Sequence, residues 1–333
     1  MMIKFAVIGT NWITQKFIEG TNNPPNNHDQ VMQLHGVYSR ELERAKSFAN
    51  KFNASLSFDD LLHLAMSKEI DAVYIASPNS LHYEQSKLML AHGKHVICEK
   101  PLSSTFEQAQ DLYQTAKDNN VIFFEAYMTA HLPNFKVIQD NLPCLGKIRK
   151  AHIQYCQYSS RYPAYLAGDK PNTFYPKFSN GSIMDIGFYC VALTCALFGK
   201  PNTIKAQATL LESGVDGCGS AILDYQDFAV TIDHSKISGS SQVSEIQGES
   251  GSLLIEHVGQ CFNVVYQNNK GEDQQTLSQP QSDNSMCYEA LAFVAQIKQA
   301  QINPVLEQRA LQTSQVIEEI RQQTGVVFPA DKQ

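Results

Sequence analysis

Ala72-Val73-Tyr74-Ile75-Ala76-Ser77-Pro78-Asn79, then a helix-patterned interval, then Gly93-Lys94-His95-Val96-Ile97-Cys98-Glu99-Lys100-Pro101: this stretch reads as strand, helix, strand. Short apolar runs bounded by turn residues are the signature of buried strands. Two such runs joined by the helical pattern at Leu81–Ala91 make a parallel βαβ unit. The second strand, Val96–Cys98, delivers a carboxylate, an amine and a proline in immediate succession. Pro101 has no N–H and disfavours helix at the residue before it. Lys100 therefore sits on extended backbone just past a strand end. In an open parallel sheet the crevice beyond the carboxyl ends of the strands is where ligands bind.

The same alternation extends outward on both sides. Strands are expected at Ile3–Ile8, Gln33–Tyr38 and Val121–Glu125, with helices from Trp12 to Gly20, Glu41–Phe52, Phe58–Ser67 and Thr105–Asn119. That is an α/β, Rossmann-type, doubly wound parallel sheet. Thr21 to Gln30, rich in Asn and Pro, reads as a loop. Past Leu132 the rhythm changes. A helix at Asn134–Asn141 leads to a strand at Ile148–Tyr158, a Pro/Gly/Asn/Ser-rich loop from Ser159 to Asn180, and one helix over Ser182–Phe198. Strand-like segments follow at Thr203–Leu211, Ser220–Tyr225, Ala229–Ser235, Val243–Gly248, Ser252–His257 and Phe262–Gln267, as in an antiparallel meander. Asn268 to Asn284 reads as a polar loop, and helices at Met286–Gln301 and Leu306–Gln323 close the chain. We therefore expect a dinucleotide-binding domain at 1–125. The remainder, 126–333, is expected to be an α+β domain with a large mainly antiparallel sheet that binds substrate and builds oligomers.

Composition narrows the function. The 333 residues are 43% hydrophobic, which suits two globular cores and excludes a disordered chain. A net charge of −7 argues against nucleic acid as the main partner. The eight cysteines form no C-x-x-C pair and no zinc-like His/Cys spacing, so no metal site is expected and the thiols read as reduced. No charged leader and no run of eighteen apolar residues is present, so the expectation is a cytoplasmic protein without a membrane partner.

Gly9-Thr10-Asn11-Trp12-Ile13-Thr14 stands where a G-x-G-x-x-G turn belongs, after the first strand and at a helix start. Only the first glycine is present. Asn11 is the non-glycine residue that best tolerates positive φ, so we expect it to keep the turn. The helix start can then receive a pyrophosphate. At the tip of the second strand, Tyr38-Ser39-Arg40, no acid stands ready for a ribose 2′-OH. An isolated Arg40 would read as a solvated charge; here, with Ser39, it reads as a 2′-phosphate site, favouring NADP over NAD.

Gly181-Ser182-Ile183-Met184-Asp185-Ile186-Gly187-Phe188-Tyr189 is the second chemical stretch. Asp185 and Tyr189, four apart, share one face of an otherwise apolar helix. The plain alternative is a carboxylate near the positive helix end and a packed tyrosine.

Together Ser77-Pro78-Asn79, His82, Glu99-Lys100-Pro101, Glu125-Ala126 and Asp185-x-Gly187-x-Tyr189 resemble the glucose-fructose oxidoreductase/inositol dehydrogenase (Gfo/Idh/MocA) family over nearly the whole chain. Tyr189, where inositol dehydrogenases of the family have His, is similar to the branch of dimeric dihydrodiol dehydrogenase. Met128-Thr129-Ala130-His131 departs from the family pattern. The resemblance implies that Gly9, Thr10, Asn11, Trp12, Ile13, Ser39, Arg40, Ser77, Pro78, Asn79, His82, Glu99 and Lys100 line the cofactor groove. It implies Lys100, Asp185 and Tyr189 as catalytic residues moving a hydride between NADP (or NAD) and a secondary alcohol or carbonyl. The substrate would be a sugar, polyol or related small molecule, including a trans-dihydrodiol or aldopentose, and the enzyme a homodimer or homotetramer through the C-terminal sheet. The loop carrying Ser160, Arg161, Tyr162, Tyr165, Asn172 and Tyr175 would cover the substrate. A tyrosine ordinarily titrates near 10, so it suits proton donation in carbonyl reduction. The reading from another class is a non-catalytic NADP-binding regulator on the same fold.

Overall fold

The apolar runs of the first half become strands, and the segments between them become helices. In chain order they are β1 (Ile3–Ile8), α1 (Trp12–Asn22), β2 (Met32–Tyr38), α2 (Leu42–Phe52), β3 (Leu56–Phe58), α3 (Leu61–Met66), β4 (Ala72–Ile75), α4 (His82–Ala91), β5 (His95–Glu99), α5 (Phe106–Asp118) and β6 (Phe123–Ala126). The computed structural model describes residues 2–25, 29–271 and 273–332. The chain divides into two compact units, Met1–Met128 with Ser282–Gln308, and Thr129–Gln281 with Arg309–Gln333.

In the first unit six parallel strands run in the order β3-β2-β1-β4-β5-β6. The strand order reverses beside β1, which places the ends of β1, β2, β4 and β5 around one crevice. Phe5, Val7, Phe17, Tyr74, Ile97 and Phe124 fill the core on one face of the sheet, and the Phe17 and Tyr74 rings stack at 3.9 Å. Three residues, Leu56–Phe58, form a strand where a helix was expected from Phe58; a piece that short shows no period of its own. The expected 21–30 loop is shorter, since α1 continues to Asn22, and residues 26–28 lie outside the described residues.

The second unit continues with α6 (Pro133–Asn141), β7 (Ile148–Cys156), α7 (Tyr162–Leu166), α8 (Phe188–Phe198), β8 (Thr203–Leu210), β9 (Asp216–Asp224), β10 (Ala229–Ser235), β11 (Ser244–Gly248), β12 (Gly251–Glu256), β13 (Asn263–Asn268) and β14 (Gln274–Thr276). Eight strands pair in the order β14-β13-β12-β11-β7-β10-β9-β8. The sheet is not a single meander. Two antiparallel series flank β7, and β7 pairs parallel to β10. The crossover between them contains α7 and α8, the kind of long connection that parallel pairing requires. β14 lies in the expected polar loop; Gln274, Gln275 and Thr276 are all exposed and carry no apolar alternation.

α9 (Met286–Gln299) and α10 (Pro304–Thr324) close the chain. The expected division at residue 125 leaves 282–308 with the substrate domain, whereas the contacts group that segment with the first unit. Gly20 of α1 comes so close to α9 that a Cβ there would stand 3.1 Å from the Cys287 nitrogen. Asn284 Nδ2 also donates to the Lys16 carbonyl at 2.7 Å. The expected single helix at Ser182–Phe198 is a π-turn, Ile183–Gly187, followed by α8. Pro176–Phe198 is long and apolar enough to cross a membrane by composition, but most of its apolar stretch is buried within the fold.

Candidate active site

In the first unit, the turn after β1 works differently from the expectation. Gly9 has φ +109°, and a Cβ there would lie 2.7 Å from the Ala76 carbonyl oxygen, so backbone and space both demand glycine. Asn11 does not take positive φ; it is extended, at φ −95°, and caps α1. Its Oδ1 accepts the N–H groups of Ile13 and Thr14 at 3.0 and 3.1 Å, and its Nδ2 donates to Ala76 O at 2.7 Å. An N-cap side chain satisfies the first orphan donors of a helix. The Ile13 N–H is therefore committed inside the turn. Thr10, Asn11 and Trp12 form the outward tip, with the Trp12 ring 60% exposed. The turn thus keeps the close backbone approach and helix start that a pyrophosphate uses.

At the β2 tip, Ser39 donates its N–H to Phe58 O at 3.1 Å, and Arg40 is exposed. Burial pushes the Tyr38 phenol up, with Arg40 opposing from its side. A residue not anticipated stands here as well. Arg44, on α2, donates through Nε to Thr10 Oγ1 at 2.7 Å, linking the second-strand helix to the glycine turn. Asp59 and Asp60 also act on Tyr38 and Glu41 follows Arg40, so the guanidiniums of Arg40 and Arg44 stand beside carboxylates here, and it is the guanidiniums that suit a phosphate.

Ser77 and Lys100 lie on loops stitched together by His82. This ring is buried, with Nδ1 2.9 Å from Pro101 O and Nε2 2.8 Å from Ser77 O. Burial holds its pKa below the ordinary value. Both nitrogens face backbone carbonyls, of which the neutral ring donates to one, so His82 ties the two loops together. Pro78 and Asn79 open a 3₁₀ turn leading into α4. Glu99 turns inward: one carboxylate oxygen accepts the Tyr74 hydroxyl at 2.7 Å, and the other lies 3.3 Å from the Lys100 N–H. The buried Tyr74 hydroxyl is raised well above its usual range, by desolvation and then by Glu99. Glu99 therefore anchors the backbone that presents Lys100. The Lys100–Pro101 bond is cis. All of these residues share the C-terminal edge of the six-stranded sheet.

In the second unit, Asp216, the first residue of β9, caps the start of the π-turn. Its Oδ2 accepts the Ile183 N–H at 2.6 Å, and burial raises the Asp216 pKa to about 6 against that bond. Gly181, at φ +143°, leaves room for Asp216; a Cβ there would overlap Oδ1. Asp185 lies in the π-turn and Tyr189 in the first turn of α8. π-turns of this kind recur at functional sites. The Tyr189 ring meets the Tyr155 ring edge-on at 5.7 Å, and Tyr155 meets His257 at 4.7 Å. Gly259 packs on the Tyr189 ring, where a Cβ would be 3.3 Å away. His257 adopts φ +58°, and its buried Nδ1 has no partner among the described residues. Asp185 forms an ion pair with Lys236, at the end of β10.

Sequence reasoning did not identify Lys236, Arg44, Tyr155 or His257. For Lys236 the signal was available: Val230, Ile232 and His234 alternate inward along β10, and Lys236 continues that parity. The 159–180 loop holds α7 and a cluster in which Tyr162 and Tyr165 pack on buried Phe174 at 5.6 and 5.4 Å. Arg161 is exposed at its edge. Among the described residues no cluster suits a metal ion, and all eight cysteines are free thiols.

Comparison with known proteins agrees with this architecture. Residues 3–127 match the model of an oxidoreductase family with an NAD-binding Rossmann fold, and residues 144–254 match the GFO/IDH/MocA C-terminal domain. The chain is 50% identical to the oxidoreductase YgjR of Escherichia coli, over 99% of both chains. It is 44% identical to the NADP(+)-dependent scyllo-inositol 2-dehydrogenase IolU of Bacillus subtilis, over 99% of this chain and 100% of that one. Mouse trans-1,2-dihydrobenzene-1,2-diol dehydrogenase is 25% identical over 100% of both. A 3-ketoreductase from Actinomadura kijaniata, solved with NADP and TDP-benzene, superposes with a TM-score of 0.83 at 20% identity over 98% of this chain and 99% of that one; it shares the fold.

Proposed function

The chain belongs to the Gfo/Idh/MocA family of NAD(P)-binding oxidoreductases, and from that premise we propose that it interconverts a cyclic polyol and its ketone with NADP(H). What supports the reading is a carboxylate, Asp185, in the π-turn and a phenol, Tyr189, four residues on in the first turn of α8, in a chain 44% identical to an NADP(+)-dependent inositol dehydrogenase. When bound, the cofactor supplies or accepts the hydride. The turn at Gly9, Thr10, Asn11 and Trp12 receives its pyrophosphate, and Ser39, Arg40 and Arg44 hold the 2′-phosphate. Ser77, Pro78 and Asn79 line the groove, positioned by His82. Lys100 donates a hydrogen bond to the reacting oxygen and stabilises its developing charge. Tyr189 gives its phenolic proton to that oxygen in reduction and takes it back in oxidation. Asp185 accepts the hydroxyl on the neighbouring carbon, which suits polyols over simple alcohols.

The eight free thiols fit a reducing cytoplasm. Oligomer formation would use the outer face of the eight-stranded sheet, where Ile222 is 52% exposed; light scattering checks it. The functional test is a panel of inositols, aldopentoses and a trans-dihydrodiol with NADP+ and NAD+, followed by NADPH or NADH absorbance. Lys100→Met is expected to cut turnover by about 10²–10³-fold, the loss typical of a removed oxyanion donor. NADPH affinity should stay within about threefold. Full activity in that variant removes Lys100 from the reaction, and binding without turnover of any substrate leaves the regulator reading in its place.

A further inference from the structure

Lys236 stands out among the charged groups of the second unit. It is only 7% exposed, although lysine is rarely buried unless paired. Its ammonium forms an ion pair with Asp185, whose side chain is 32% exposed. Its backbone is pinned on both sides: the N–H donates to Gly217 O at 2.9 Å, and the carbonyl accepts the Ser159 N–H at 2.9 Å. Two residues earlier on the same strand face, His234 Nδ1 lies 2.9 Å from Ser182 Oγ, and its ring fills the space beside Gly187. The inward face at the end of β10 thus grips the π-turn at Ser182, Asp185 and Gly187.

An ion pair with a buried lysine is a poor source of stability, because desolvating the ammonium offsets much of the attraction. A hydrophobic pair would hold β10 to the π-turn as well. What it would not do is fix the direction of a carboxylate. We infer that Lys236 is a positioning residue, which orients Asp185 so that this carboxylate receives the hydroxyl next to the reacting carbon. The inference rests on the reading of Asp185 given above. It adds that substrate selection depends on a lysine more than forty residues away in sequence from the motif.

The test is a double-mutant cycle of Lys236→Met, Asp185→Asn and the pair, with Lys236→Arg as the conservative variant. Steady-state kinetics with the best polyol of the panel is read beside thermal unfolding and NADPH binding. Lys236→Met is expected to raise KM for the polyol and to lower kcat/KM about tenfold or more, the scale of coupling between neighbours in one network. NADPH affinity, read at Trp12 in the other unit, should not change. Lys236→Arg should recover most of the loss, and Lys236→Met should add little once Asp185 is Asn. A kcat/KM for Lys236→Met within twofold of the parent overturns the inference. So does an equal loss in the Asp185→Asn background, since Lys236 would then act by another route. A fall in melting temperature with KM unchanged also overturns it, because that is the mark of a structural role alone. If instead Asp185→Asn is itself fully active, the underlying reading of Asp185 fails, which the single variant shows without the cycle.

Discussion

At the scale of single residues, the sequence offers candidates but not their contacts. Lys100, Asp185 and Tyr189 are singled out by the family resemblance, since an amine past a strand end and a carboxylate four residues before a phenol have plain structural readings by themselves. Lys236 and Arg44 escaped because each matters through a contact that crosses many residues of sequence, to Asp185 and to Thr10. Arg44 yields a direct expectation. A charge-assisted hydrogen bond contributes about 1.5–3 kcal/mol, so Arg44→Gln should weaken NADPH binding roughly tenfold or more while changing NADH binding little. Trp12, the only tryptophan and exposed at the turn, gives the measurement through its fluorescence. Equal weakening of both cofactors would place Arg44 at the turn's architecture instead.

At the scale of elements, long periodic helices and strands were read correctly, and the short or irregular ones were not. β3 and β14 are three residues each and are defined by partners rather than by pattern. The π-turn was read as ordinary helix because its residues carry the same apolar pattern, and the Asp216 carboxylate that caps its Ile183 N–H lies far along the chain on β9. Gly187 permits that element. A Cβ there would stand 2.9 Å from Ile183 Cδ1 and 3.0 Å from the His234 ring. Gly187→Ala is expected to cost about 1–3 kcal/mol, the range for overpacking. The midpoint of urea unfolding measures it, and a shorter side chain at His234 should return part of the loss.

At the scale of the whole molecule, the sheet classes were legible from alternation, but the return of 282–308 to the first unit was not, because it depends on the fit of α9 to Gly20. Acid sensitivity is also a property of the whole. Burial lowers the pKa of His82, His95 and His257, and takes His234 to about 4 and His131 to about 3. A depressed histidine contributes stability that is complete above its unfolded value near 6.5 and is lost as pH falls toward the folded value. Asp216, raised to about 6, acts in the opposite sense: its burden on the fold lifts as pH falls through 6 toward 3.8. Five groups oppose one, so the melting temperature should fall steadily from pH 7 to pH 4.5. A flat or rising profile over that window would show that the histidines do not govern it.

The Asn11 cap bears on time as well as shape. Because that one side chain ties the helix start to the end of β4, the turn proposed to receive the pyrophosphate has its geometry in the unliganded fold. The ordering entropy is already spent when the chain folds, and encounter finds a finished socket. Mixing with NADPH should then show a single fast phase, linear in nucleotide concentration, with no slow isomerisation behind it. Asn11→Ala, with the tether cut, should bring that slow phase into view.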